Sequence, residues 1–239
     1  MYIFKSRVRY SELNHQRGTL DFESIINYFQ DCTTFQSEDL NLGQSYLQTK
    51  NRVWLLNSWQ LQIIHVAYLG DYITIGTWPY DFKGFYGYRN FIIQDDSEKI
   101  LAVANSIWVC IDTNTNRPIK APSDHEGYEL EPPYPMEYAE RKINIPEVYT
   151  TYSSFAVIRS NIDSYNHVNN GQYIKMAEEY LPNTLIAVGM RVEYRMQAVL
   201  GDIIEPRVSF QDNRFTVVLS DITDKPYAVI EFTVREAKE

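Results

Sequence analysis

Residues 160–182 read Ser-Asn-Ile-Asp-Ser-Tyr-Asn-His-Val-Asn-Asn-Gly-Gln-Tyr-Ile-Lys-Met-Ala-Glu-Glu-Tyr-Leu-Pro. Asp163, Asn166, His167, Asn169 and Asn170 crowd in just ahead of a helical apolar period. An acid, a base and several amides are thereby placed at a helix N-terminus. Backbone N–H groups and the helix dipole at such an end favour a developing negative charge, an oxyanion for example. The same residues also suit a polar capping loop in which a backbone carbonyl satisfies His167.

Two stretches could position such a loop. Phe22, Ile25, Ile26 and Phe29 follow the spacing i, i+3, i+4, i+7, and so do Tyr173, Met176, Ala177 and Tyr180. Thr19 is the expected N-cap of the first helix and Asn170 that of the second, with Pro182 as its stop. The chain opens on a strand-like segment, residues 1–10. Four strand-like runs follow the first helix, at 52–68, 71–82, 87–95 and 100–112, and four follow the second, at 186–198, 202–210, 214–222 and 227–236. Both copies place a Gly-Asp turn before their second long strand, Gly70-Asp71 and Gly201-Asp202, so the chain carries a weak internal repeat. Superposing Phe22 on Tyr173 puts Glu12 at Asp163 and Gln16 at His167. Pro118, Pro122, Pro132, Pro133, Pro135 and Pro146 crowd the region between the copies, which reads as an irregular linker. The expected organisation is a first domain over 1–125, a Pro-rich linker over 126–147 and a second domain over 148–239. The expected fold class is α+β, a helix covering one face of an antiparallel sheet in each copy.

The 239 residues carry a net charge of −9, which argues against nucleic acid as a partner. With 19 Tyr and 11 Phe the chain favours strands and broad buried surfaces. Cys32 and Cys110 are too few for a disulfide scaffold and lie in no metal-ligand spacing, so both are expected as buried small hydrophobes. No His/Cys/Asp cluster calls for a metal, and no cofactor is expected. No run is long and apolar enough to span a membrane and the N-terminus lacks a signal-peptide stretch, so the expectation is a soluble, cytoplasmic protein.

The segment from Asp163 to Tyr173, above all His167-Val168-Asn169-Asn170, resembles the active-site segment of acyl-acyl carrier protein (acyl-ACP) thioesterases. The resemblance runs along most of the chain. Val53-Trp54, Tyr68, Gly70-Asp71, Thr77-Trp78-Pro79, Arg89, Leu101-Ala102, Ser106, Trp108-Val109, Asp112, Arg117 and Pro122 fall in the family's order, and Glu193-Tyr194-Arg195 matches its Glu-Tyr-Arg run. The resemblance implies two hot-dog domains in tandem, the first shaping an acyl pocket and the second carrying catalysis. It also shows departures. The family pattern Asp-x-Asn-x-His-Val-Asn-Asn has Tyr165 at its first Asn, with Asn166 next door. The family's catalytic glutamate position holds Gln197, and its cysteine position holds Ala198.

What the resemblance implies is hydrolysis of a fatty acyl-ACP thioester to free acid and carrier protein. Asp163 would take the proton of the attacking water, His167 would hold the thioester or assist the leaving thiolate, and Gln197 would position water. Asn166 is a further candidate at the site. The implied partner is acyl carrier protein, itself acidic, so docking would need a local basic patch; Lys175, Arg191 and Arg195 flank the site. A tandem chain could be a monomer or a homodimer. An acyl-CoA thioesterase or other hot-dog enzyme, and a non-enzymatic acyl-binding sensor, are the alternative readings.

Overall fold

The computed structural model describes residues 1–121 and 127–237. The chain divides into two compact units, Met1–Ala139 and Glu140–Glu239. The domain boundary expected at 125/126, together with Pro122, lies outside the described residues.

Unit 1 contains β1 (Tyr2–Arg7), α1 (Phe22–Asp39), a short α2 (Gln44–Thr49), β2 (Arg52–Ile63), β3 (Tyr72–Lys83), β4 (Tyr86–Asp95), β5 (Ile100–Asp112) and β6 (Arg117–Pro118). Its antiparallel sheet has the order β1-β3-β4-β5-β2, with β6 on β5. Unit 2 contains β7 (Thr150–Thr151), β8 (Phe155–Ala156), α3 (Asn170–Glu178), β9 (Leu185–Tyr194), β10 (Ile203–Gln211), β11 (Arg214–Ser220) and β12 (Pro226–Glu236). Its order is β9-β12-β11-β10, with β7 and β8 on β10. The two orders are the same order. Each unit is a helix against an antiparallel sheet, the α+β arrangement expected from the sequence.

The expected apolar stripe of α1 is buried: Phe22, Ile25, Ile26 and Phe29, with Cys32 beyond it. Phe29 packs on Trp59 and Phe91, with ring centroids 5.9 and 4.9 Å away. Fully burying one such side chain contributes about 1.5–3 kcal/mol. The caps differ from expectation. Asp21, not Thr19, caps α1, its Oδ1 accepting the Ser24 N–H at 2.7 Å. Asn169, not Asn170, caps α3, its Oδ1 accepting the Gly171 N–H at 2.8 Å. Thr19 instead bonds backward: its carbonyl accepts the Asn14 N–H and so closes a loop.

One helix covers one face of a sheet. The Pro-rich segment runs over the other face of unit 1. Its residues cannot join the ladder, yet their free carbonyls and amides meet side chains of the sheet. Trp78 Nε1 donates to Pro132 O, and the buried Asn90 Oδ1 accepts from the Tyr134 N–H and the Tyr138 hydroxyl. The Gln60 amide donates to Glu137 O and accepts from the Ala139 N–H. Unit 2 uses the same device. Ile143 packs on Val218 and Val229 and is held by the Glu-Tyr-Arg run. Glu193 Oε2 accepts the Ile143 N–H at 2.9 Å, while Arg195 donates to Ile143 O at 2.6 Å and to Glu193 at 2.7 Å.

Removing the Glu193 carboxylate would leave the buried Ile143 N–H without its acceptor and leave the Arg195 guanidinium with only the Ile143 carbonyl. Glu193→Ala is therefore expected to lower the unfolding free energy by about 1–3 kcal/mol. Glu193→Gln, which keeps an acceptor, should recover part of the loss in urea titrations. An unchanged midpoint in Glu193→Ala would show that the strap is not held through this carboxylate.

Candidate active site

The loop ahead of α3 is a tight hairpin closed by an Ile162–Val168 bridge. Asp163 forms its turn. The Asp163 N–H donates to His167 O at 2.8 Å, and Oδ1 accepts from the Tyr165 N–H at 2.8 Å and the His167 N–H at 3.3 Å. A short acid at this position bonds its own backbone two residues on, as Asx turns do. Its second oxygen, Oδ2, accepts no hydrogen bond among the described residues. Asn166 sits at the apex with φ +62°, a conformation Asn tolerates, so the turn by itself accounts for that residue. Tyr165, at the family's Asn position, points its ring outward and is 53% exposed.

His167 is half-buried, and its Nδ1 is buried without a hydrogen-bond partner. The capping-loop alternative required a carbonyl to satisfy this ring; at Nδ1 there is none among the described residues. Leaving such a group unsatisfied costs about 1–3 kcal/mol.

The next strand turn is joined to this loop. The Val168 N–H donates to Ala198 O at 2.9 Å, and the Ala198 N–H donates to the Tyr173 hydroxyl at 3.0 Å. Gln197 and His167 thus each flank one end of the same backbone hydrogen bond. Gln197 is exposed, and its side chain bonds nothing among the described residues. Tyr173 and Tyr194 were not assigned roles from the sequence. Tyr173 is 2% exposed and anchors Ala198; the Tyr194 hydroxyl donates to Asn170 O at 3.0 Å. Their signal was present only as a Tyr on the helix stripe and a Tyr in the Glu-Tyr-Arg run. Asn161 completes the frame, accepting the Asn169 N–H on its carbonyl and donating to Gln172.

The same hydrogen bonds recur in unit 1 and give the true register of the repeat. Leu20 N–H to Ala67 O matches Val168 N–H to Ala198 O, and Asp21 N–H to Glu12 O matches Asn169 N–H to Asn161 O. Gln16 N–H to Asn14 Oδ1 matches Tyr165 N–H to Asp163 Oδ1. Asp163 therefore corresponds to Asn14 and His167 to Thr19, not to Glu12 and Gln16. Tyr173 corresponds to Ile25, not Phe22. The slip of three residues is almost one helical turn, which leaves the apolar face unchanged and so was invisible to periodicity. Unit 1 carries neither the acid nor the imidazole.

The expected thiol assignments agree with the structure. Cys32 and Cys110 are both fully buried, and burial pushes the Cys32 thiol up to about 12, far from a reactive thiolate. The basic patch does not form as expected. Arg191 pairs with Glu231 and donates to Glu140 O and Lys142 O; Arg195 pairs with Glu193. Both cations hold the strap of unit 2, while Lys175 lies exposed on α3. Among the described residues, no group of three or more His, Cys, Asp or Glu side chains could hold a metal ion, and no helix is long and apolar enough to cross a membrane.

Comparison with known proteins gives this frame a family. Residues 2–126 match the acyl-ACP thioesterase N-terminal domain and residues 146–227 the acyl-ACP thioesterase C-terminal domain. An acyl-[acyl-carrier-protein] hydrolase of Cuphea viscosissima is 25% identical over 78% of this chain and 50% of its own length. A palmitoyl-acyl carrier protein thioesterase of Gossypium hirsutum is 23% identical over 82% of this chain and 52% of its own. The chain thus spans about half the length of the curated relatives it matches. Among solved structures, an acyl-ACP thioesterase of Bacteroides thetaiotaomicron superposes with a TM-score of 0.88 at 20% identity, covering 98% of this chain and 97% of that one. The 12:0-ACP thioesterase of Umbellularia californica gives a TM-score of 0.84 at 15% identity, covering 99% and 98%. Both show the fold. With two domain matches that together take in most of its residues, the chain belongs to the acyl-ACP thioesterase family.

Proposed function

We propose that this chain hydrolyses fatty acyl-ACP thioesters, with the chemistry in the Asp163–His167 loop of unit 2. The observation that carries the reading is a pair of uncommitted groups in one five-residue turn: Asp163 Oδ2, and a buried His167 Nδ1. Unit 1 builds the same turn from Asn14 and Thr19, which can neither take a proton as a carboxylate nor offer an imidazole.

Asp163 acts as general base. Its Oδ1 is held by two backbone amides, so the carboxylate is fixed while Oδ2 faces a water that attacks the thioester carbonyl. The nucleophile is water, the C–S bond breaks, and the thiolate of the carrier's prosthetic arm leaves and is protonated. His167 holds the reacting group or assists that leaving thiolate. The N-terminal end of α3 favours the oxyanion that develops at the carbonyl. Gln197 orients the water through its amide, since it cannot act as a base. The carrier protein is the partner, and a cytoplasmic location suits that substrate.

Three measurements test this. Asp163→Asn retains the turn-forming oxygen but loses the proton acceptor; kcat should fall by roughly 10²–10⁴ with KM little changed. Asn14→Ala, at the matching position of unit 1, should leave kcat alone. A folded Asp163→Asn protein with near wild-type turnover would move the chemistry elsewhere.

The double substitution Cys32→Ser with Cys110→Ser should preserve kcat and lower stability, because two hydroxyls are buried where thiols sat. Loss of turnover in the folded double variant would contradict a cysteine-free mechanism. Finally, one acyl chain presented on carrier protein and on CoA should show the larger kcat/KM on carrier protein. A clear preference for CoA would retain the hydrolase and remove the carrier-protein assignment.

A further inference from the structure

Between the end of β9 and the Gly201-Asp202 corner the chain is irregular, and Gln197 stands at the middle of that stretch. Its neighbours are tied down. The Arg195 and Met196 N–H groups donate to Tyr227 O at 2.8 and 3.2 Å, and the Val199 N–H donates to Asp202 Oδ2 at 2.9 Å. Ala198 is held at both ends of its backbone: its N–H donates to the Tyr173 hydroxyl at 3.0 Å, and its carbonyl accepts the Val168 N–H at 2.9 Å.

Unit 1 builds the matching stretch from the same bonds, with one exception. Ile64 and His65 donate to Leu101 O at 2.8 and 3.0 Å, Tyr68 donates to Asp71 Oδ2 at 2.8 Å, and Ala67 O accepts from Leu20 at 2.9 Å. These reproduce the bonds to Tyr227, Asp202 and Val168 one for one. The bond to Tyr173 has no counterpart, because Ile25 holds its place on α1 and has no hydroxyl to offer the Ala67 N–H. The residue that matches Gln197 is Val66, an exposed side chain without a polar atom. Two differences therefore coincide. The unit with the acid and the imidazole has an amide at the crest of this stretch, and it has one more hydrogen bond on the next residue. The corner itself does not require that bond, since unit 1 forms the same corner without it.

The added bond is made from a fixed post. Tyr173 is 2% exposed on the buried face of α3, and its ring lies 5.9 Å from that of Tyr194, whose hydroxyl holds Asn170 O. Burial pushes the Tyr173 phenol well above its ordinary range, so the hydroxyl stays neutral and the bond does not titrate near neutrality. A side-chain amide orients a water only if its own backbone is held, because a shift of about 1 Å can cost two orders of magnitude in rate.

We propose that Tyr173 is a positioning residue for hydrolysis: its hydroxyl fixes the Ala198 amide and through it sets the Gln197 side chain toward the water that Asp163 activates. The proposal rests on the hydrolase reading of the Asp163–His167 loop.

The test is a double-mutant cycle on the full chain, read in turnover of a fatty acyl-carrier thioester. Tyr173→Phe should lower kcat about tenfold and leave KM within about twofold. The loss should not vary with pH across the neutral range. Gln197→Ala should lower kcat by about tenfold as well, and in that background Tyr173→Phe should cost less than about twofold, because the group it positions is gone. A tyrosine that only supports the fold would lower the urea midpoint and cost the same factor in both backgrounds. Should Tyr173→Phe fail to fold, Ala198→Gly takes its place in the cycle with the same expectations, since it loosens the same stretch and keeps the tyrosine. Unchanged kcat in the folded variant, a loss confined to KM, an inert Gln197→Ala, or a cost that persists in the Gln197→Ala background would overturn the proposal. Those outcomes leave the hydrolase reading standing, because the unaltered chain still turns over. An unaltered chain that hydrolyses no carrier thioester would remove both.

Discussion

A single helix can cover one face of an antiparallel sheet, and both faces of each sheet here carry large apolar side chains. In unit 1, Phe29, Trp59 and Phe91 fill one side while Trp78, Ile92 and Val103 fill the other. The second face must be closed by something that is neither helix nor strand. An irregular, proline-containing segment does it, and its backbone groups then have to be satisfied by side chains, because unpaired buried amides are costly. This requirement explains a set of otherwise odd residues. Asn90 is fully buried in a strand interior because it receives the strap. Glu193 and Arg195 pair beside a backbone because between them they hold both the N–H and the carbonyl of Ile143.

With the back faces closed, the loops ahead of the helices are free to diverge. Both units build that loop on the same scaffold: a bridge, a side-chain oxygen that closes the turn, and a bond into the segment before a Gly-Asp corner. Gly70 and Gly201 take positive φ at equivalent places, +86° and +89°, which a side chain would oppose. On this common frame a few side chains decide what each unit can do. Asn14 and Thr19 close a turn in unit 1; Asp163 and His167 close the same turn and leave a carboxylate oxygen and a ring nitrogen over. Tyr173 adds an anchor for Ala198 that Ile25, its counterpart, cannot supply.

The interior of unit 1 diverges in its own direction. Its sheet places the Arg89 cation and the Trp59 indole N–H, which has no partner among the described residues, in a row under α1. Buried cations without a partner are disfavoured unless something returns the lost solvation. Gln36, Thr77, the Tyr128 face and the helix end return part of it.

Much of this was legible in the chain itself. Both helices, the eight long strands, the Gly-Asp corners and the buried cysteines followed from periods of 3.6 and 2 and from turn residues, since those depend on local geometry alone. The acid and imidazole of the Asp163–His167 segment were visible as a cluster of types at a helix start. What the chain could not disclose depends on partners distant in sequence. Periodicity permits a slip of nearly one turn, so the repeat acquired its register only from the bonds of Leu20 to Ala67 and Val168 to Ala198. Arg191 and Arg195 read as surface charge until Glu231 and the backbone of the strap were brought beside them. Arg89, Ser106 and Trp59 are ordinary strand residues up to 47 positions apart in the numbering, and only the pairing of β2, β5 and β4 sets them in one row. Local spacing determines elements; which side chains meet is decided by strand register, and register is a property of the folded sheet.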